Sequence, residues 1–280
     1  MKRVLVAGAT GYLGAFVARE FASRGYSVRA LARSPRKLKA LEDSLDEIVE
    51  AEITRPGTLR DVCGGMDVVF SSVGITRQRD GLTFQDVDYQ GNRNLLDVAL
   101  RAGVERFVYV SVLHDPELRS LAIVRAHEDF AADLKASGIG HSVVRPTAYF
   151  SDMEEYLAMA RRGRVYLIGD GRCRLNPIHG GDLAVTCVEA AEGGPSEIDV
   201  GGPEVLTHRE IAELALKAAG RPARITSVPV WTAKVAVRVT KLFDRHRGEL
   251  LAFFTETTTR DAVGPASGRR RLGDHFESLV

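Results

Sequence analysis

The sequence predicts a doubly wound α/β fold on a parallel sheet, and three observations carry the prediction. Through the first half of the chain, short apolar runs alternate with segments of helical periodicity. The first of these runs ends in a glycine-rich turn that opens a helix. The 280 residues, 45% hydrophobic and 27% charged, are enough to bury a core without a disulfide or metal staple.

Each element follows from local pattern. Val4 to Ala7 is a continuous apolar run that stops at Gly8, as expected of a strand buried on both faces. From Ala15 to Ser23, Phe16, Val17, Ala18 and Phe21 fall on one helical stripe, and Gly25 is the stop signal. Val28 to Ala32 predicts the next strand, and Pro35 to Leu45 a helix carrying Leu38, Leu41 and Leu45. Ile48 to Ile53 is a weaker strand pattern. Met66 to Phe70 and Arg106 to Val110 predict strands, with a helix over Asn92 to Arg101 between them. A helix over Phe130 to Ser137 ends at Gly138, and a strand over Ser142 to Val144 stops at Pro146. The second half predicts helices over Asp182 to Ala191, Thr207 to Ala219 (capped by Thr207) and Trp231 to Phe243, and a strand over Glu197 to Val200. The stretch Gly264 to Arg271 reads as a loop. The organisation expected is a sheet domain over residues 1–150, joined by 178–202, and a small lobe from 151–177 and 203–280 continuous with it.

Charge and cysteine content exclude several classes. Thirty-eight Lys and Arg against 37 Asp and Glu leave a net charge of +1, so the broad basic field of a nucleic-acid binder is absent. Cys63, Cys173 and Cys187 are odd in number, far apart and without C-x-x-C spacing. That argues against a disulfide framework or a zinc site and fits a reducing cytoplasm, the expected location. The apolar run after Met1-Lys2-Arg3 breaks at Gly8, too early for a signal-peptide core, and no apolar stretch is long enough to span a bilayer.

The strongest chemical signal is Gly8-Ala9-Thr10-Gly11-Tyr12-Leu13-Gly14, placed after a strand and opening a helix, the context of a dinucleotide fingerprint. Gly8 allows the tight turn, Gly11 lets a pyrophosphate approach the backbone, and Gly14 lets the helix pack on the sheet. The spacing is G-x-x-G-x-x-G rather than G-x-G-x-x-G. Nineteen residues after Gly14, where an NAD site places an acid on the ribose, the chain has Arg33, followed by Ser34, Arg36 and Lys37. Arg33, with Lys37, is suited to a 2′-phosphate, so NADP(H) is favoured over NAD(H). A solvated basic start to the next helix is the plainer reading.

These residues resemble the short-chain dehydrogenase/reductase superfamily, in its atypical branch related to extended, epimerase-like and nitrogen-metabolite-repression-like members, over the first 200 residues. The resemblance implies a Rossmann sheet and further contacts with the cofactor. Glu52-Ile53 looks like the acidic-apolar pair around adenine, and Ser71-Ser72-Val73-Gly74 like the loop lining the adenine ribose. Val87 to Asn92 matches a helix start whose asparagine, Asn92, supports the cofactor site. Val108 to Ser111 matches the strand ending in the active-site serine, and Val144-Arg145-Pro146-Thr147 is similar to the turn beside nicotinamide. The tail, Glu249 to Phe254 and then Leu272 to Phe276, is similar to that of reductases related to divinyl-chlorophyllide reductase.

The chain departs from the family where most members carry Tyr-x-x-x-Lys. The matching positions hold Ile123 and His127, and an isoleucine cannot donate a proton. The candidate catalytic residues are therefore Ser111, His127 and Tyr149. His127 is suited to holding the ribose or acting as general acid, and is equally a partly exposed histidine in a polar stretch. Tyr149 either reaches the nicotinamide side or packs the core. His179 reads as structural, and His208, His246 and His275 lack partners at ligand spacing, so no metal is expected. Lys234, Arg238, Lys241 and Arg245 form a basic stripe among apolar residues, fit for anionic lipid, a protein partner or solvent. Three functions stay open: a reductase of a carbonyl or conjugated double bond in a small molecule, a redox sensor that binds dinucleotide without turnover, and an assembly or accessory protein.

Overall fold

The computed structural model describes residues 1–75, 81–113 and 116–280. In chain order its elements begin β1 (Arg3–Ala7), α1 (Tyr12–Ser23), β2 (Ser27–Ala32), β3 (Glu47–Glu50), β4 (Val68–Ser71), α2 (Asn92–Arg101), β5 (Arg106–Val110), α3 (Ala122–Ala136) and β6 (Gly140–Pro146). They continue α4 (Phe150–Arg161), β7 (Val165–Ile168), β8 (Arg174–Leu175), α5 (Gly180–Ala191), β9 (Glu197–Val200), β10 (Leu206–Thr207) and α6 (His208–Ala218). β11 (Ile225–Val228), α7 (Val230–Phe243), α8 (Arg245–Thr257) and α9 (Leu272–Ser278) complete the chain.

The chain divides into two units. The first comprises Met1–Ser111, Arg125–Arg145 and Leu183–Ile198; the second comprises Val112–Val124, Pro146–Asp182 and Asp199–Val280. The expected doubly wound sheet is present, seven strands in the order β3-β2-β1-β4-β5-β6-β9, and the pairings from β3 through β6 are all parallel. Val4, Leu5, Val6 and Ala7 are all fully buried, which is why this strand shows no polar alternation. The strand order reverses between β1 and β4. That is the switch point at which open α/β sheets bind ligands.

Two elements of this unit differ from the pattern reading. Pro35–Ser44 winds as 3₁₀ turns rather than an α-helix. Its buried residues, Leu38 and Leu41, are three apart, and a period of three stacks them on one side. α3 starts eight residues before the expected Phe130, because the charged run around His127 conceals the helical spacing of the buried Ile123, Phe130 and Leu134.

The second unit is built on two small strand pairs, β7 with β11 and β8 with β10. Its core gathers Phe150, Met153 and Leu157 of α4, Ile211 and Ala215 of α6, and Phe276 of α9. The Gly264–Arg271 stretch is irregular, as read, but firmly held. Asn176 Nδ2 donates to the Gly264 carbonyl at 3.0 Å, and Asp182 accepts the Arg269 and Arg270 amides, each at 3.0 Å. No helix among the described residues is long and apolar enough to cross a membrane.

Candidate functional site: a glycine-lined cleft at the switch point

The turn between β1 and α1 is shaped by what its glycines leave out. Gly8 adopts φ +95°, and a Cβ there would lie 2.7 Å from Ser72 Oγ. A Cβ on Gly14 would lie 2.1 Å from the Gly8 carbonyl oxygen, so the helix rests directly on the turn. Gly11 is the N-cap of α1 and supplies no side-chain cap, and the first turn holds no acidic residue. The positive end of the helix is left to an outside anion.

This end of α1 opens onto a cleft of about 250 Å³ across the C-terminal ends of β1 to β4. Of the residues expected to hold a cofactor, Gly8, Thr10, Gly11, Arg33, Glu52, Ile53, Ser72 and Val73 line it. Leu13 is instead buried within the first turn of α1, and Lys37 is exposed on the 3₁₀ segment outside the lining. Arg33 Nη1 lies 3.8 Å from Glu52 Oε1, and Arg55 Nε lies 3.1 Å from the other oxygen of the same carboxylate. Two guanidinium groups thus flank one carboxylate, leaving this end of the cleft cationic.

The wall after β4 is positioned from behind by buried polar groups. Asn92 donates to the Val73 carbonyl at 3.0 Å and to the Asp88 carbonyl at 2.8 Å, and accepts from Ser71 Oγ. Ser71 and Asn92 are fully buried, so they shape the cleft wall without lining it. Asp88, also fully buried, accepts the Ile75 amide at 3.2 Å and faces His127 Nε2 at 3.2 Å. On the other side of the ring, His127 Nδ1 lies 2.6 Å from the Tyr109 hydroxyl. An ionised carboxylate can only accept, so in the neutral ring Nε2–H donates to Asp88 and Nδ1 accepts from Tyr109. Burial pushes the Asp88 carboxyl above the ordinary range, outweighing His127 and the Ile75 amide, which favour its charge. Sequence reasoning singled out His127 but neither of these partners.

A second buried cluster holds Ser111. Its hydroxyl donates to Glu128 Oε1 at 3.1 Å, and Arg145 clasps the same carboxylate through Nε and Nη2, each at 3.1 Å. Such a pair adds little net stability, yet removing one partner strands a buried charge. In the second unit, the Thr147 hydroxyl donates to the Asn176 carbonyl at 2.6 Å, and Tyr149 is the half-buried N-cap of α4. Pro146 is the buried last residue of β6. Ile123 is buried one helical turn before His127 on α3, with no proton to give.

His208, His275 and His179 have local partners. His208 lies 2.7 Å from the Tyr156 hydroxyl, and burial pushes its pKa down to about 4. His275 meets Glu154 at 3.1 Å and packs against the His179 ring. No metal-ligand cluster occurs among the described residues.

A family model for NAD(P)H-binding proteins matches residues 8–191, from the first glycine of the turn to the end of α5. The chain belongs to this NAD(P)H-binding family. Its relatives and fold place it in the atypical short-chain dehydrogenase/reductase group. It is 29% identical over 258 residues to the divinyl chlorophyllide a 8-vinyl-reductase of Cucumis sativus, an alignment covering 84% of this chain and 61% of that protein. The chain therefore spans about three fifths of the length of that relative. It is 26% identical to a photosystem II assembly factor of Synechocystis sp., over 86% of this chain and 75% of that one. In fold, this NAD(P)H-binding protein is similar to the NADPH-dependent quinone oxidoreductase of Escherichia coli, with a TM-score of 0.77 and 18% identity over 99% of both chains.

Proposed function

We propose that this NAD(P)H-binding protein is an NADPH-dependent reductase of a carbonyl or conjugated double bond in a small organic molecule. The uncapped helix end at Gly11, facing a cleft whose far end carries Arg33, is the observation that carries the reading. Gly8, Thr10, Gly11 and the backbone amides at the start of α1 (Tyr12, Leu13, Gly14) would hold the pyrophosphate. Ile53, Ser72 and Val73 would take the adenosine half, with Asn92 and Ser71 fixing that wall. The bound cofactor would supply a hydride. Pro146 and Thr147 would take the nicotinamide side of the cofactor, and Tyr149 the substrate, with the lobe formed by residues 151–177 and 203–280 supplying the rest of the substrate contacts. The three free cysteines are compatible with the reducing cytoplasm as its location.

Cofactor choice turns on charge. Arg33 favours a 2′-phosphate and Glu52 a 2′-hydroxyl, and Arg55 on the far side of Glu52 tips the balance toward phosphate. Arg33→Asp is expected to weaken NADPH by ~2–4 kcal/mol and NADH far less, because a charge-assisted pair is lost and a like charge introduced. Titration calorimetry with both cofactors measures this. Equal wild-type affinities for NADPH and NADH would remove Arg33 from 2′-phosphate selection.

One observation favours a second reading. Ile123 has no proton to give, and both ring nitrogens of His127 already have protein partners. A dinucleotide-binding sensor or assembly factor needs no proton donor, and one relative is an assembly factor. A screen of NADPH oxidation with ketone, enone and quinone acceptors separates the two. Turnover with any class supports the reductase; tight NADPH binding without turnover across all three assigns the binding role.

A further inference from the structure

We infer that the outer face of α7 is a docking surface for an anionic lipid bilayer. None of the residues of α7 is buried, although half of them are large and apolar. Trp231 is 68% exposed, Leu242 81% and Phe243 88%, and Val235 and Val239 are exposed between them. Positions 231, 235, 239 and 242 recur every three or four residues, so they form one stripe along the helix. Lys234, Arg238 and Lys241 follow the same spacing one position earlier and border that stripe. Residues 230–247 hold five Lys and Arg and a single Asp.

The stripe is presented by a preformed hairpin. A Cβ on Gly248 of α8 would lie 2.8 Å from the Lys241 Cα, so the two helices cross in close contact there. Lys234 pairs with Glu256 at 3.3 Å and Lys241 with Glu249 at 3.2 Å, which ties these two side chains to α8 along one border of the stripe, while Arg238 lies between them in sequence and Arg245 and Arg247 follow the stripe. Asp244 accepts the Arg247 amide at 3.0 Å, which sets the turn beside Leu242 and Phe243.

Charge and shape select the occupant. Exposed Trp, Leu and Phe beside a row of cations match the demands of a headgroup layer, which takes apolar side chains shallowly and attracts Lys and Arg. A second copy on the same face would oppose cation row to cation row across the two-fold axis. A helix face is convex, whereas a bound peptide needs a groove. The contact is peripheral, since no described helix can cross a membrane.

Trp231 is the chain's single tryptophan and reports on this face alone. The full chain is titrated with phosphatidylcholine vesicles, with and without phosphatidylglycerol. The expected result is a blue shift of Trp231 emission and vesicle partition on the order of a hundredfold stronger with the anionic lipid, reduced by salt. Leu242→Asp with Phe243→Asp should weaken partition at least about tenfold and leave NADPH affinity unchanged. Equal partition into both vesicle types, or an unaffected double variant, would overturn the inference. So would a Trp231 shift caused only by polyglutamate or accompanied by a doubled mass, which would assign the face to an acidic protein or a second copy.

Discussion

Gly11→Val is expected to remove NADPH binding and leave the chain folded, whereas Gly14→Val is expected to destroy the fold around the same turn. Gly11 sits at φ −87° and ψ 171°, ordinary extended backbone that valine adopts freely. An added Cβ meets only the Gly8 carbonyl oxygen at 3.2 Å, a contact relieved by a shift of a few tenths of an ångström. The valine methyl groups then occupy cleft space at the helix end, where the proposed phosphate would take its amide hydrogen bonds. Hydrogen bonds to charged groups contribute about 1.5–3 kcal/mol each, so losing two weakens binding roughly a hundredfold or more. At Gly14 the added carbon lies 2.1 Å from a backbone oxygen and 2.5 Å from its carbon, which no side-chain rotation relieves. Calorimetric titration with NADPH and thermal unfolding separate the two variants. Wild-type affinity in Gly11→Val would sink the phosphate reading of the turn. A fully stable Gly14→Val would sink the packing argument.

That contrast marks what could be read in the sequence. The apolar run of β1 and the glycine turn after it are local features, and Gly8 and Gly14 make the tight turn and the close helix packing that their places in the motif implied. Asn92 to Arg101 and Arg106 to Val110 were legible to the residue, because an amphipathic helix and a buried strand each write a complete period into the chain. Polar residues whose meaning is tertiary were not legible. Asp88 lies in a polar run, yet it is fully buried because α3 brings His127 to it. Glu128 and Arg145 are seventeen residues apart and meet only because α3 packs beside β6. The two-residue strands β8 and β10 are too short to carry any pattern. α4 does carry one, with Phe150, Met153, Leu157 and Ala160 at helical spacing.

Removing His127 is expected to damage stability more than catalysis. A general acid usually contributes about 10²–10⁴ in rate, whereas positioning of the acceptor predicts less than about tenfold from His127→Ala. The geometry favours positioning. The ring is held between Asp88 and Tyr109, and Tyr109 is fully buried, so the chain of hydrogen bonds ends inside the protein. Its consequence is to fix Asp88, which holds the Ile75 amide at the cleft wall. His127→Ala strands a buried carboxyl and a buried hydroxyl, each costing about 1–3 kcal/mol. Chemical denaturation, with turnover corrected to the folded fraction, separates the two effects. A hundredfold loss of corrected turnover at unchanged NADPH affinity would make His127 the acid. The Asp88 carboxyl supplies an independent check through pH. Its native pKa is raised by burial, so the native state keeps this proton to a higher pH than the unfolded chain. Its contribution to stability is complete below the ordinary carboxyl range and is lost as pH rises through the raised value. Asp88→Asn cannot ionise, and its carbonyl still accepts from Ile75, so unfolding experiments across acid pH should show that decline in the wild type and a flatter profile in the variant. Parallel profiles would mean that burial does not raise the Asp88 carboxyl above its ordinary range, and the account of its surroundings behind the cleft wall would fall with it.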